Sequence, residues 1–478
     1  MDTASFQFVL FGLAVALVSN FSRSRLWRSA VLMAASIIFL VLLAHSLILV
    51  FPLICFLLLG YVGLLLIRRC GARSIGWTIL ALLSVYVWLK KYSFLPEGII
   101  LHSPYFTIGL SYILFRVLHL LIDSGDDKSK TGINFGAYLL YTLNFTTLVS
   151  GPIQRYEEFA RDQFSLDPLP LGPQVIGAQL ERIVRGLFKV NVLALLLHAA
   201  QDDALARSIP SFHLSLRLFS IFNIFIIYPL FLYSNFSGYI DIVIALARLM
   251  RVRLPENFNR PFSASSFLDF WNRWHITLST WLKTYVYNPL LIALMRWNSS
   301  PALEPLLGVL CFFVTFFLVG VWHGRTSEFI FFGVLQGGGV AVNKLWQLGL
   351  ARGLGRKQYK TLAANPVYIA LGRGLTFSWF AFTLLWFWSS WIQIGKLLHI
   401  ISITQLLVVW LFIWFCAAVV LSLWEFLRSA LLSIKVDGNP VLTHRYARMI
   451  YASVLGLAVF VFVFLLNQPA PDIVYKTF

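Results

Sequence analysis

Apolar runs separated by short polar connectors divide this chain, near residues 5–20, 29–45, 47–67, 75–89, 104–122, 134–150, 183–199, 214–247, 305–323, 328–348, 374–394, 403–424 and 448–466. Helices embedded in lipid, joined by connectors outside it, produce this pattern. Several runs fall short of the about 20 residues that a perpendicular spanning helix needs. Some are therefore expected to be re-entrant, interfacial or tilted, and about 11 to cross. The run 214–247 is too long for one straight span and holds Tyr228-Pro229, which predicts a kink or a break lining a cavity. The pattern predicts an all-α polytopic membrane protein whose residues 1–478 form a single membrane-embedded domain, with no stretch hydrophilic enough for a soluble one.

The stretch from Tyr233 to Pro289 departs from this plain alternation. It starts in an apolar helix that carries a polar patch of Ser234, Asn235, Ser237, Gly238, Tyr239 and Asp241. A basic, proline-punctuated loop follows from Arg248 to Pro261. Ser266, with Asp269 three residues on, predicts the cap of a further helix ending at Pro289. On a period of 3.6, Trp271, Trp274, His275, Leu278, Trp281, Leu282 and Tyr285 share one face of that helix. Arg273, Thr277, Thr280, Lys283 and Thr284 fall on the other, which places His275 among aromatic rings. A second histidine, His323, ends the apolar run LGVLCFFVTFFLVGVWHG, after Trp322 and between Gly320 and Gly324. Glycines there allow close approach of a neighbouring backbone or a substrate. Two such histidines suggest a shared polar pocket.

Charged residues within apolar segments are expensive and call for a reason. Asp241 either pairs with an arginine such as Arg248 or Arg251, or orients an imidazole. The island Gly151-Pro152-Ile153-Gln154-Arg155-Tyr156-Glu157-Glu158-Phe159 follows an apolar run directly, and its Arg155, Glu157 and Glu158 suit the anchoring of a re-entrant turn.

Composition sharpens the picture. Of the 478 residues, 59% are hydrophobic and only 12% charged, where a soluble chain carries about a quarter charged residues. The formal net charge of +18 points to lipid headgroups and cytoplasmic loops, with no aromatic-basic module that would bind nucleic acid. Basic residues gather at 23–28, 68–73 and 344–373, the expected cytoplasmic loops. Arg23, Arg25 and Arg28 follow the first apolar run, which favours an outside N-terminus and a retained first helix over a cleaved signal. Cys55, Cys70, Cys311 and Cys416 are scattered, with neither disulfide nor zinc spacing, and the histidines form no HxxxH or HExxH pair, so no metal is expected. No GxSxG, Walker or dinucleotide-binding glycine loop is present; Gly337-Gly338-Gly339 reads as helix packing. What remains is a base without its own covalent nucleophile, which suits transfer to an external hydroxyl or a relay through another molecule.

The segments YSNFSGYIDIVIALARLM, RLPENFNRPF, FWNRWHITLSTWLKTYVYNPL and LVGVWHG, in that order, resemble the membrane-bound O-acyltransferase (MBOAT) superfamily, and GPIQRYEEF resembles a further motif of its bacterial branch. That branch includes alginate O-acetyltransferases and teichoic-acid D-alanyl transferases. The motifs cover about residues 140–340. The resemblance implies a bundle of about 11 transmembrane helices with re-entrant segments, and funnels from both faces towards a thin centre. It implies His323 as the principal catalytic residue and His275 as its accessory. Asp241, Asn235, Ser237, Tyr239, Trp271, Trp274, Arg273, Trp322 and Arg155 are the residues expected to bind substrate or support the site. The donor it implies is an acyl thioester, acetyl-CoA or an acyl carrier protein, as co-substrate and not as a bound cofactor. The acceptor is a hydroxyl of an exported polysaccharide or envelope polymer, reached directly or through a partner protein with an extracytoplasmic domain, at the bacterial inner membrane. D-alanyl or longer-chain transfer to a wall polymer, lipid or protein is the alternative, and a transporter of a polar envelope precursor the rival class. The chain departs from the acetyltransferase pattern at Tyr287-Asn288-Pro289-Leu290-Leu291, which lacks a glycine-rich stretch, and this bears on acceptor and partner docking.

In such a reaction a neutral imidazole removes the hydroxyl proton as the carbonyl is attacked, which contributes about 10²–10⁴-fold. A second donor, His275 or a backbone N–H, steadies the developing oxyanion. A transient acyl-imidazole on His323 is the other route.

Overall fold

The computed structural model describes residues 5–44, 46, 48–101, 105–125, 133–208, 212–297, 300, 302–436, 439–440, 444–467 and 471–472. The ends of the predicted runs at 45, 47 and 104 lie outside them. The described residues are overwhelmingly helical. Eight helical segments among them are long and apolar enough to cross a membrane, and the protein is a multi-pass membrane protein. The count stands below the about 11 crossings expected. One of the eight, Ile48–Leu89, contains two helices, Phe51–Cys70 and Ile75–Leu89, which turn at Gly71 (φ 70°) and pack on each other. Phe6–Ser19 is apolar but shorter. The Ile403–Ser433 helix leaves Val408, Leu411, Phe412, Phe415 and Val419 exposed, a surface suited to acyl chains.

The chain forms two compact units. The first takes the described residues up to Leu187, with Phe236–Glu256 and Asp472. Its core includes Phe8, Phe39 and Phe145, whose ring centroids lie 5.5–6.3 Å apart. Arg28, placed by the sequence in a cytoplasmic loop, is instead buried in the Arg25–Ala44 helix and donates to the carbonyls of Asp162 (3.2 Å) and Ser165 (2.7 Å). The apolar run 134–150 is helical only over Phe135–Thr142. Arg116 holds its end, donating to the Tyr141 (3.1 Å) and Thr142 (2.8 Å) carbonyls of the last turn and to the Thr147 carbonyl beyond it.

The second unit comprises Phe188–Asn235 and the described part of Asn257–Pro471. Its closest pairing joins Glu304–His323 to Ser327–Gly353. Glycines let these two backbones touch: a Cβ on Gly333 would sit 2.5 Å from the Phe317 carbonyl oxygen, one on Gly337 2.5 Å from that of Phe313, and one on Gly320 would overlap the Gly333 backbone. A Cβ on Gly339 would overlap the Trp379 ring, whereas Gly338 faces open space. Two of the three glycines, Gly337 and Gly339, therefore serve helix packing as the apolar setting predicts, and Gly338 does not.

Two further expectations are corrected. Leu214–Leu249 is one continuous helix that encloses Pro229, so of the kink or break expected at Tyr228-Pro229 it is the break that does not occur. Apolar surroundings favour keeping the other backbone bonds within the helix, which tolerates one missing donor. The basic stretch 344–373 is mostly helix: Lys344 and Arg352 belong to Ser327–Gly353, Arg356, Lys357 and Lys360 to Arg356–Ala363, and Arg373 to Pro366–Thr383.

Candidate active site

Ser266 caps the Phe267–Trp271 helix, its Oγ accepting the Asp269 N–H at 3.2 Å, as the capping spacing predicts. The expected helix to Pro289 does not continue. The chain turns at Asn272–Trp274, passes through His275 in the left-handed region (φ 46°, ψ 51°), and resumes as Ile276–Leu282. A wider π-helical turn, Lys283–Tyr287, leads into Asn288–Trp297, whose first turn holds Pro289. The proline therefore lies inside a helical run that continues to Trp297 and does not mark its end.

Backbone pairing explains the interruption. Phe258 and Trp274 form an antiparallel bridge, Asn259 N–H donates to the Arg273 carbonyl (2.9 Å), and Ile276 N–H donates to the Asn257 carbonyl (3.0 Å). RLPENFNRPF and FWNRWHITLS, two separate motifs in sequence, thus grip one another through groups that a continuous helix would have kept for itself. Most of the aromatic face nevertheless survives: Trp271, Trp274, His275, Leu278, Trp281 and Leu282 are buried and Tyr285 half-buried, while Thr277, expected on the other face, is buried as well.

His323 sits on the last turn of Glu304–His323. The glycine after it has a steric cause, because the Phe329 ring occupies the space where a Gly324 Cβ would be. His275 is 0% exposed and His323 3% exposed. Trp322 stands between them, its ring centroid 6.2 Å from that of His275 and 4.7 Å from that of His323. Phe387 lies 5.1 Å and Phe332 6.2 Å from the His323 ring. The two imidazoles are close enough to interact electrostatically. The two histidines do come together, but among packed aromatic rings and not in the polar setting that the sequence suggests.

Other predicted residues fall into place around this pair or elsewhere. Trp271 packs 4.9 Å from Phe316, on the helix that carries His323. Trp274 stacks on Phe270 at 5.6 Å and meets Phe258 edge-on at 5.1 Å. The Arg273 side chain is taken up by an ion pair with Asp269 (3.0 Å) and a hydrogen bond to Ser263 (3.2 Å). Asn235 is buried, with Nδ2 3.5 Å from the Pro471 carbonyl oxygen.

In the first unit, Asp241 accepts from Arg182 Nε (2.9 Å) through Oδ1 and from Arg185 Nε (3.2 Å) through Oδ2. Arg182 also grips Glu256 with both terminal nitrogens, at 2.7 and 2.6 Å. The arginines expected as partners do other work. Arg248 donates to the Pro170 carbonyl, and Arg251 to Asn20 and the Leu169 carbonyl. Seven helical residues separate Asp241 from Arg248 along the axis, roughly 10 Å, whereas Arg182 and Arg185 present two guanidinium groups from one face of another helix. Ser237 and Tyr239 are buried in this unit, Tyr239 beside Arg116. Arg155 stands at the N-cap position of the Tyr156–Gln163 helix without a side-chain capping bond, within electrostatic reach of His119. No group of three metal-ligating side chains occurs among the described residues.

Residues 40–384 match the family described as MBOAT, membrane-bound O-acyltransferase family. The chain belongs to this family of acyltransferases. The match extends well beyond the about 140–340 that the motifs cover. The chain is 28% identical over 284 residues to the teichoic acid D-alanyltransferase of Streptococcus thermophilus, covering 57% of this chain and 65% of that protein. It is 26% identical over 331 residues to the teichoic acid D-alanyltransferase of Bacillus subtilis, covering 68% and 80%. With the probable alginate O-acetylase AlgI of Pseudomonas fluorescens the identity is 30% over 273 residues, covering 56% and 51%. The matched stretch thus spans from about half to four-fifths of these relatives.

One buried polar centre of this family member escaped the sequence analysis. His119, fully buried in Leu110–Asp123, has Nδ1 3.1 Å from the Phe115 carbonyl oxygen, while Nε2 accepts the Tyr156 N–H at 3.3 Å and lies 3.2 Å from the Tyr141 hydroxyl. With Arg116 it pins the non-helical segment that ends in GPIQRYEEF. The available signal was a basic pair, Arg116 and His119, at helical spacing inside an apolar run.

Proposed function

We propose that this MBOAT-family protein moves an acyl group, most simply acetyl, from a cytoplasmic thioester to a hydroxyl of an exported polysaccharide or other envelope polymer. The observation that carries the reading is the burial of His275 and His323 in one aromatic cluster around Trp322. Water is scarce in such surroundings, and a base there acts on a bound hydroxyl with little competition from hydrolysis.

In this reading the acceptor oxygen attacks the thioester carbonyl carbon while His323 takes the hydroxyl proton. The carbonyl π electrons move onto oxygen, where His275 or a nearby N–H donates to the oxyanion. Collapse re-forms the carbonyl, breaks the C–S bond, and the leaving thiolate takes the proton from His323. The donor is acetyl-CoA or an acyl carrier protein, and neither the chemistry nor the residues call for a metal or a resident cofactor. D-alanyl transfer is the second reading, favoured by the 80% coverage of a teichoic acid D-alanyltransferase.

A polymer hydroxyl must be held to about an ångström for such a step. The reading therefore includes a separate partner with an extracytoplasmic domain that presents the acceptor, at a bacterial inner membrane. Purified protein in detergent, given radiolabelled acetyl-CoA or D-alanyl carrier protein and a candidate acceptor, tests the whole of it. Transfer of label by the wild type supports the reading, and transport of a precursor without transfer contradicts it. Efficient polymer acylation with no second protein removes the partner alone.

A further inference from the structure

His275 is the N-cap residue of the Ile276–Leu282 helix, yet its side chain makes no capping bond. The first N–H groups of a helix need partners from outside it, and the N-cap side chain is the usual source. Here the partner comes from far upstream. The Asn257 carbonyl accepts the Ile276 N–H at 3.0 Å, and its Oδ1 accepts both the Thr277 N–H (3.1 Å) and the Thr277 Oγ1–H (2.9 Å). Asn257 is fully buried, so these bonds meet no competition from bulk water.

Three bonds from one residue therefore fall on the two residues that follow His275. On its other side, Asn259 N–H holds the Arg273 carbonyl. Between these anchors His275 takes a left-handed conformation that residues with a Cβ rarely adopt unless their surroundings impose it. We propose that Asn257 is a positioning residue, an external cap that imposes this conformation and leaves the His275 imidazole to the aromatic cluster it shares with Trp322 and His323. The proposal rests on the acyl-transfer reading above. It also gives the RLPENFNRPF motif a chemical reason: the motif supplies the cap that the helix start of FWNRWHITLS lacks.

The test is a double-mutant cycle on turnover, with whichever radiolabelled donor, acetyl-CoA or D-alanyl carrier protein, the wild type consumes. Asn257→Ala is expected to lower kcat by on the order of 10²-fold with the donor KM unchanged, since an ångström of misplacement costs that much. Asn257→Asp, which keeps the Oδ1 acceptor, retains most of the turnover. In a His275→Ala background Asn257→Ala produces no further loss, because the asparagine acts through the histidine. Should Asn257→Ala fail to fold, Thr277→Val reads the same bond with the Thr277 N–H still held. Its smaller loss in kcat likewise disappears in the His275→Ala background. Multiplicative losses beside an impaired His275→Ala, or wild-type turnover of Asn257→Ala, overturn the inference alone. Wild-type turnover of His275→Ala overturns the reading of the site, and the inference with it.

Discussion

His275 and Trp322 meet ring to ring, with 6.2 Å between centroids and 72° between planes. They come from different helices, one beginning just after His275 and the other ending just after Trp322. The indole thereby joins the two motifs into one wall and sets His323, its neighbour in sequence, beside His275. Three local devices hold this arrangement: the antiparallel bridge behind Trp274, the glycine seam beneath His323, and the glycine that follows it.

Gly324→Ala is expected to damage the site through packing alone. The new methyl overlaps the Phe329 ring, and forcing it in costs about 1–3 kcal/mol. Thermal unfolding in detergent reads the loss of stability, and kcat falls with it. The pair Gly324→Ala with Phe329→Leu, which gives the methyl room, recovers part of both.

Along the seam the outcome depends on which glycine is changed. Gly320→Ala drives a methyl into the Gly333 backbone, which has no flexible side chain to yield. Membrane-inserted protein is expected to drop sharply. Gly338→Ala meets open space and gains roughly 0.5–1 kcal/mol of helix propensity. Quantifying monodisperse protein for both variants checks the contrast.

Asp241 is expected to matter for stability and not for chemistry. Asp241→Asn weakens its hold on Arg182 and Arg185, at a cost of roughly 1–3 kcal/mol once the partial exposure of Arg185 is discounted. The surviving folded fraction keeps its specific activity. A variant of normal stability with turnover lost contradicts this assignment.

These cases show what a one-dimensional reading captured. His275 and His323 were legible because each interrupts a strongly apolar pattern, and the aromatic character of the His275 face held. The continuous helix from Ser266 to Pro289 was misread because periodicity sees side chains and not the backbone bonds from Asn257 and Asn259 that break it. The partners of Asp241 were invisible for a similar reason: Arg182 lies 59 residues away, beyond any local spacing rule. His119 stayed hidden in an apolar run, and its role shows only in the loop backbone that it holds.

The central claim is that His323 carries the acyl transfer. Its most direct test is the single-turnover rate of label transfer from the thioester donor by His323→Ala, at protein levels and thermal stability matched to the wild type. The account predicts folded, membrane-inserted protein in which the general-base contribution, about 10²–10⁴-fold, is gone. Near-normal transfer by that variant would contradict it.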